Sequence, residues 1–432
     1  MSATIAVAER TTSPMRVCFL SRRFFPAVSG MSVYAANLLR ELVAAGYDVT
    51  MISQYRADAA GRAVYGGGPP PPVPGVRVIG LESVGEADGG DFERDVDALV
   101  DAVCAEHARA PFALLHAQYG YPTGYAALVA SRRLGVPNVV SIQGGDGHWV
   151  GPCCTTHRDA MRAVLDHAGA LLIGSRSFAG EVVQNHGVTM DRFTIVPGAV
   201  DVGRFHPRVG WQAGAFLNPA RPVLLYHGRV DRRKGALDTV DAVAAIVAQR
   251  SKTVDAVLPQ LVVSGIGPDV EAVRERVRAH ALEAHVMLTG AAPYDTVPTV
   301  YHRGDIFLSP TYAEGFSNTI LEAMACGLPV VSTHAVGVVD CLRDGENGLL
   351  VPPGDVAALA AAIVQLLDDA ALRTRLAAAA LDEVCRTYAW RAVVQQITGV
   401  YASIAGTRPS TGWTAPLGRD PACRFRAAPH LL

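Results

Sequence analysis

Short apolar, β-branched runs alternate with longer stretches of helical spacing along most of the chain. Arg16–Leu20 (RVCFL) reads as a strand. From Met31 onward Val33, Ala36, Leu38, Leu39, Leu42 and Val43 share one side of a helix, which Gly46 ends before the strand DVTMIS. Strand, helix and strand in that order form a β-α-β unit, whose crossover makes the two strands parallel. ALLHAQ, a helix over TGYAALVASRRL and the strand PNVVSIQ repeat the unit. ALLIGS, RSFAGEVVQNHG and FTIVPGAV repeat it once more.

A second series begins at Pro222 with VLLYHG and a helix from Ala236 to about Arg250. LVVSGIG, a helix over Asp269–His280, HVMLTG, a helix near Tyr294–Arg303, IFLSP, a helix near Asn318–Cys326, PVVSTH and GLLVPP follow. Two such series, split near Phe205–Pro222, predict an α/β protein of two Rossmann-like domains. A single (β/α)8 barrel would close in about 250 residues, without the interruption. The resulting division is 15–205 for the first domain and 206–388 for the second, with a helix over 389–405 (WRAVVQQITGVYASIA). Residues 1–14 and 406–432 read as disordered ends, and GGGPPPP (66–72) as a surface loop.

Composition narrows the classes. With 50% hydrophobic and 18% charged residues, the chain is too apolar to be disordered. A net charge of −2 in 432 residues argues against a nucleic-acid binder. Eight scattered cysteines do not make a disulfide framework. The one tight pair, Cys153-Cys154 with His157 nearby, lacks the spacing of a zinc site and a second pair, so no metal is expected. Free thiols, no apolar run of about 18–20 residues and no signal-peptide pattern point to a cytoplasmic protein.

The chemistry concentrates in turns that follow strands. The first β-α turn lacks G-x-G-x-x-G, which argues against a nicotinamide oxidoreductase; it offers a single Gly30 where a helix starts. TYAEGFSNTILEAMACGLPVVST (Thr311–Thr333) places Glu314 after a strand, then a small polar turn, then a helix with Glu322 in its first turns. A phosphate at that helix N-terminus would lie between the two carboxylates. Thr319-x-x-Glu322 also fits a capping box, which would use Glu322 for the helix itself. HGRVDRRKG brings Arg229 and Lys234 to another helix start, a fork and a point charge suited to a diphosphate or a plain basic turn. SGIGP lets backbone approach closely at Gly265.

In combination these segments resemble the retaining glycosyltransferases of family 4, which have the GT-B fold. Glu314-Gly-Phe-Ser-Asn-Thr-Ile-Leu-Glu322 is similar to the family's E-x7-E motif and GRVDRRKG to its G-R-x(4)-K-G loop. VPGAVDVGRFHP, RDGENGLLVPPGD and HAQYGYPTGYAALVASRRLGVPNVVSIQGGD match further family segments, from about Arg16 to Ala405. The resemblance implies two domains facing across a cleft, with the last helix crossing back to the first domain. It implies that Arg229 and Lys234 bind the donor diphosphate, Glu322 holds the ribose hydroxyls and Glu314 contacts the transferred sugar. The donor pocket would include Gly228, Gly265, Gly290 and the Gly315, Phe316, Ser317, Asn318 and Thr319 turn. Gly30, His116, Gln143, Gly144 and Asp146 would line the cleft on the acceptor side. Three departures stand out: Gln143 where many members carry histidine or arginine, Gln118 in place of the second histidine of HAH, and Gly198-Ala199 for the interdomain N-G.

The implied reaction moves a hexosyl or N-acetylhexosaminyl group from a nucleotide sugar, UDP-linked by preference and GDP-mannose as runner-up. The acceptor is a hydroxyl of a cyclitol, natural product, lipid or glycan. No cofactor beyond the nucleotide-sugar co-substrate is implied. Cations built from protein make the donor clamp metal-independent, and retention follows a front-face route without a protein nucleophile. Competing classes are a sugar-nucleotide epimerase or hydrolase and a non-catalytic sugar-nucleotide-binding protein. SRRFF (Ser21–Phe25) reads foremost as a substrate loop with packed aromatics, and secondarily as a weak peripheral membrane contact.

Overall fold

The computed structural model describes residues 14–59, 62, 66–253, 256–414, 418 and 420–427. A seven-stranded sheet is built from β1 (Arg16–Ser21), β2 (Asp48–Tyr55), β3 (Val76–Glu82), β4 (Leu114–Gln118), β5 (Asn138–Ile142), β6 (Ala170–Ile173) and β7 (Phe193–Ile195). Its order is β3-β2-β1-β4-β5-β6-β7, with every named pair parallel. A six-stranded parallel sheet follows: β8 (Val223–His227), β9 (Gln260–Ser264), β10 (Val286–Gly290), β11 (Ile306–Ser309), β12 (Val330–Thr333) and β13 (Leu349–Val351). Its order is β10-β9-β8-β11-β12-β13. Both sheets reverse their winding once, between β1 and β4 and between β8 and β11. In open α/β sheets such switch points, at the carboxyl ends of the strands, are where ligands bind.

The central strands are buried on both faces, as in Val17–Ser21 and Ile306–Ser309, because helices cover each side. β3 alternates exposed and half-buried positions at the sheet edge, so its apolar pattern is too weak to announce a strand. Helix Trp390–Ile404 crosses back onto the first domain, with Val393, Ile397 and Tyr401 fully buried against Phe19, Leu38 and Leu39. Burial of side chains of this size contributes roughly 1.5–3 kcal/mol each, enough to hold the helix far from its own domain. The Val200 amide donates to Tyr388 O at 2.9 Å and the Trp390 amide to Val200 O at 3.2 Å, which fixes where the chain turns back.

Two expectations about the ends fare differently. Residues 1–13 lie outside the described residues. Beyond Gly406, a stretch expected to be disordered, the described residues instead pack on the first domain: Trp413, Cys423 and Phe425 are buried in its core cluster. Arg132 stacks over Trp413 at 4.4 Å and donates to Trp413 O at 2.7 Å. Arg426 pairs with Glu93 at 2.6 Å. Gly and Pro give the tail a coil-like composition, and the partners that anchor its described residues lie hundreds of positions away.

No helix among the described residues is long and apolar enough to cross a membrane. The SRRFF segment is turned inward: Arg22 and Phe24 are buried, and Arg22, Arg23 and Arg56 converge on the buried carboxylate of Glu86 at 3.2, 3.6 and 3.1 Å. Burial raises the Glu86 carboxyl, but the three guanidiniums outweigh it and hold the group below its ordinary value. Arg22 and Phe24 are thus occupied inside the protein and not available to a membrane surface, which counts against the membrane-contact reading of this loop.

Candidate active site

The turn after β8 begins with Gly228, and Arg229 is held by Asp231 (Nε to Oδ2, 3.4 Å). Asp231 is almost fully buried and caps the next turn by accepting from the Arg233 amide at 2.9 Å. Its burial favours the neutral acid, but bonds from Arg233 and the nearby Arg229 keep its carboxyl below the usual range. Lys234 is delivered by Gly235, which has φ of 71° and would drive a Cβ to 2.1 Å from Pro310 O. Only glycine fits that left-handed contact. Lys234 Nζ consequently reaches across to Glu314 Oε2 at 2.7 Å and to Ala313 O at 3.3 Å.

Three predicted glycines gather at adjacent strand ends. The Gly228 amide donates to Ser264 O at 3.0 Å and that of Gly265 to Gly290 O at 2.8 Å. Gly265 has φ of 144°, and a Cβ there would stand 1.8 Å from Gly228 O. The floor of the pocket is therefore bare backbone, which brings its amides and carbonyls within reach of a ligand.

Helix Asn318–Ala325 opens with Ser317 as its N-cap, and no side chain caps it. Asn318, not a residue after Thr319, is the first helical residue, so the Thr319-x-x-Glu322 capping box does not form. Glu322 is instead buried, and Tyr301 donates to its Oε2 at 2.6 Å. Burial raises its carboxyl to about 7, partly offset by the Tyr301 bond and by Arg204. An uncapped helix start, two cations and two carboxylates thus share one end of the second sheet, where the helix dipole favours anions.

The first domain closes over this turn. A Cβ on Gly315 would lie 2.5 Å from Gln143 O, and Ser175 Oγ donates to Gly315 O at 3.1 Å. Gly198 faces Phe316 and Asn318, where a Cβ would sit 2.7 Å from Asn318 Oδ1. A side chain at position 198 would have to displace Phe316 or Asn318. Asn318 Oδ1 is itself buried without a hydrogen-bond partner among the described residues.

Residues 29–199 match the glycosyl transferase 4-like domain and residues 221–369 the glycosyl transferases group 1 family. A D-inositol 3-phosphate glycosyltransferase of Acidothermus cellulolyticus is 30% identical over 438 residues, covering 93% of this chain and 93% of the relative. The glycogen synthase of Mycobacterium tuberculosis is 25% identical over 420 residues, covering 90% of this chain and 94% of its own. In structure, the sucrose-phosphate synthase of Thermosynechococcus elongatus aligns with a TM-score of 0.72 at 23% identity, over 90% of this chain and 99% of that one. HepE of Anabaena, solved with UDP and glucose, aligns with a TM-score of 0.67 at 18% identity, over 90% and 100%. This chain belongs to the group 1 glycosyltransferases of the GT-B fold.

In this glycosyltransferase not every residue expected on the acceptor side reaches the cleft. His116 is fully buried beneath it: Nδ1 meets Tyr401 Oη at 2.6 Å and Nε2 meets Ser141 Oγ at 2.8 Å. Burial lowers its pKa to about 3, so the neutral ring acts as a tie between the first sheet and the crossing helix. Asp146 is also buried, accepting from the amides of Gly120 (2.8 Å), Gln143 (3.0 Å) and Gly144 (2.8 Å). It shapes the loop and presents nothing to a substrate. Gln143 and Gly144 remain half-buried, and Gln143 Oε1 accepts from Gln118 at 2.8 Å. Gly30 is the exposed first residue of helix Gly30–Ala44, whose N-terminus Ser29 caps through the Ser32 amide at 3.2 Å.

Proposed function

We propose that this glycosyltransferase transfers a hexosyl or N-acetylhexosaminyl group, with retention, from a nucleotide sugar to an acceptor hydroxyl. The observation that carries the reading is the Lys234–Glu314 pair, set beside the uncapped start of helix Asn318–Ala325. As the glycosyl–phosphate bond lengthens, positive charge grows on the anomeric carbon and negative charge on the departing diphosphate. Arg229, Lys234 and the helix amides stabilise that anion from fixed positions, with no reorganisation at the moment of reaction. Glu314 faces the sugar, and Glu322 accepts from the ribose hydroxyls. Gln143 carries no proton-accepting imidazole. The departing phosphate oxygen therefore takes the acceptor proton as the acceptor oxygen attacks from the same face.

UDP is the preferred nucleotide, supported by the UDP-bound HepE neighbour. A second reading concerns the acceptor. The inositol phosphate in several relatives' names supports a phosphate-bearing cyclitol as the acceptor. A cytoplasmic location suits an enzyme fed by a nucleotide-sugar pool.

A panel of sugar nucleotides, read by thermal stabilisation and product formation, tests the assignment. UDP-sugars should stabilise wild type, and product should form at the same rate, within roughly two-fold, when Mg2+ and Mn2+ are omitted. Intact-mass spectra during turnover should show no glycosyl adduct on Glu314. A strict divalent requirement would overturn the protein-made clamp, and a trapped adduct would replace the front-face route with double displacement.

A further inference from the structure

Cys153, Cys154 and His157 are close in sequence, and the folded tail adds a fourth donor. Cys153 Sγ lies 3.9 Å from Cys423 Sγ, and Cys423 Sγ lies 3.5 Å from His157 Nδ1. All four donor atoms fall within 4.8 Å of one another. Zn–S bonds of about 2.3 Å and Zn–N bonds of about 2.0 Å in a tetrahedron separate sulfurs by about 3.8 Å and sulfur from nitrogen by about 3.5 Å. Both distances involving Cys423 match. The Cys153 Sγ to His157 Nδ1 distance of 2.8 Å would open by about 0.7 Å, a small side-chain rotation.

The surroundings suit a structural metal. Cys154 and His157 are nearly inaccessible, and the imidazole is enclosed by the rings of Tyr121 (4.6 Å), Phe425 (5.6 Å) and Phe92 (5.9 Å). The His157 amide donates to Cys154 Sγ at 3.4 Å, a bond that strengthens when the sulfur is a thiolate. Three thiolates and one imidazole in a closed tetrahedron favour zinc over harder divalent cations.

We propose that Cys153, Cys154, His157 and Cys423 form a zinc site that fastens the C-terminal tail to the first domain. Three thiols lose their protons to solvent as Zn2+ enters, leaving a site of net charge −1. Arg426, whose amide donates to Cys423 O at 3.0 Å, belongs to the same turn, with its guanidinium paired to Glu93. The consequence reaches the cleft. Arg424 and Phe425, directly after the ligand, line a cavity of ≈ 220 Å³ together with Trp149, Arg229 and Arg233. The metal thus sets the position of a tail arginine beside the donor's cationic clamp.

The test uses the full-length chain, produced with zinc in the medium and purified under reducing conditions. Elemental analysis should find about one zinc per chain. Cys423→Ser and Cys153→Ser should each lose it, while Cys385→Ser, an exposed thiol on the other domain, should keep it. Limited proteolysis of Cys423→Ser should cut between Gly406 and Cys423 about ten-fold faster than in wild type, while the rest of the chain resists. Wild type with far less than one zinc, or variants that retain it, would overturn the proposal. So would a Cys153–Cys423 disulfide, seen as an intact mass short by two hydrogens together with a cross-linked peptide joining the two residues. None of these readouts depends on sugar transfer, so they stand apart from the proposed reaction.

Discussion

Lys234→Ala is expected to slow sugar transfer by about 10²–10³-fold, with a much smaller change in the donor's Michaelis constant. Lys234 Nζ sits 2.7 Å from Glu314 in the free enzyme, so in the proposed reaction its charge stands where the leaving diphosphate would be. Binding the ground-state diphosphate uses some of that charge. The transition state, with a further negative charge on the departing oxygen, uses more, so the loss falls chiefly on kcat. Arg229 would not replace it, because the Asp231 carboxylate orients that guanidinium from the opposite end of the loop. Steady-state kinetics with saturating acceptor measure the effect. A kcat within roughly three-fold of wild type would remove Lys234 from the reaction.

The second large effect is on pH. Burial holds Glu322 near 7, and the ionised form can accept from both ribose hydroxyls, whereas the acid cannot. Donor affinity should therefore fall about ten-fold between pH 8 and pH 6. Glu322→Gln should bind weakly at both pH values and lose the dependence. His227 in the same neighbourhood is held near 4 by burial, so it stays neutral across this window. The sign for stability is the reverse. The folded state takes up a proton near 7, while an unfolded glutamate stays ionised until about 4.5. Acidification from pH 8 to pH 6 should thus stabilise the free protein by about 1 kcal/mol through this group. Calorimetric titration of UDP together with thermal melts at both pH values would check the two signs. A donor affinity that is flat in wild type would exclude Glu322 as the ribose acceptor.

The cluster proposed as the donor half of the site was legible because its elements are local. Glycine at Gly235 and Gly265 marks backbone that no side chain can follow, and Arg229, Lys234, Glu314 and Glu322 occupy fixed offsets from strand ends. Other features depend on distant partners. Thr319-x-x-Glu322 looks like a cap until the helix is seen to start at Asn318, with Tyr301 holding the glutamate. His116 reads as a cleft residue because Tyr401, 285 positions later, is what buries it. Cys153, Cys154 and His157 lack a fourth ligand in any local window, and Cys423 arrives 266 positions beyond His157. Helix Phe92–Arg109, which supplies Glu93 to the tail, is a different case: Phe92, Val96, Leu99, Val100 and Val103 recur at helical spacing, yet the expected elements do not include it.

The contact between Gly315 and Gln143 bears on how the two halves could be recombined. It is made by main chain alone, at a separation that leaves no room for a methyl group. Side-chain identity at position 143 is thus free to vary while the seam stays shut. A hybrid that joins this donor half to a relative's acceptor half should work to the extent that the incoming loop follows the same backbone path. Loop length and glycine placement, more than overall identity, would then decide which acceptor halves are interchangeable.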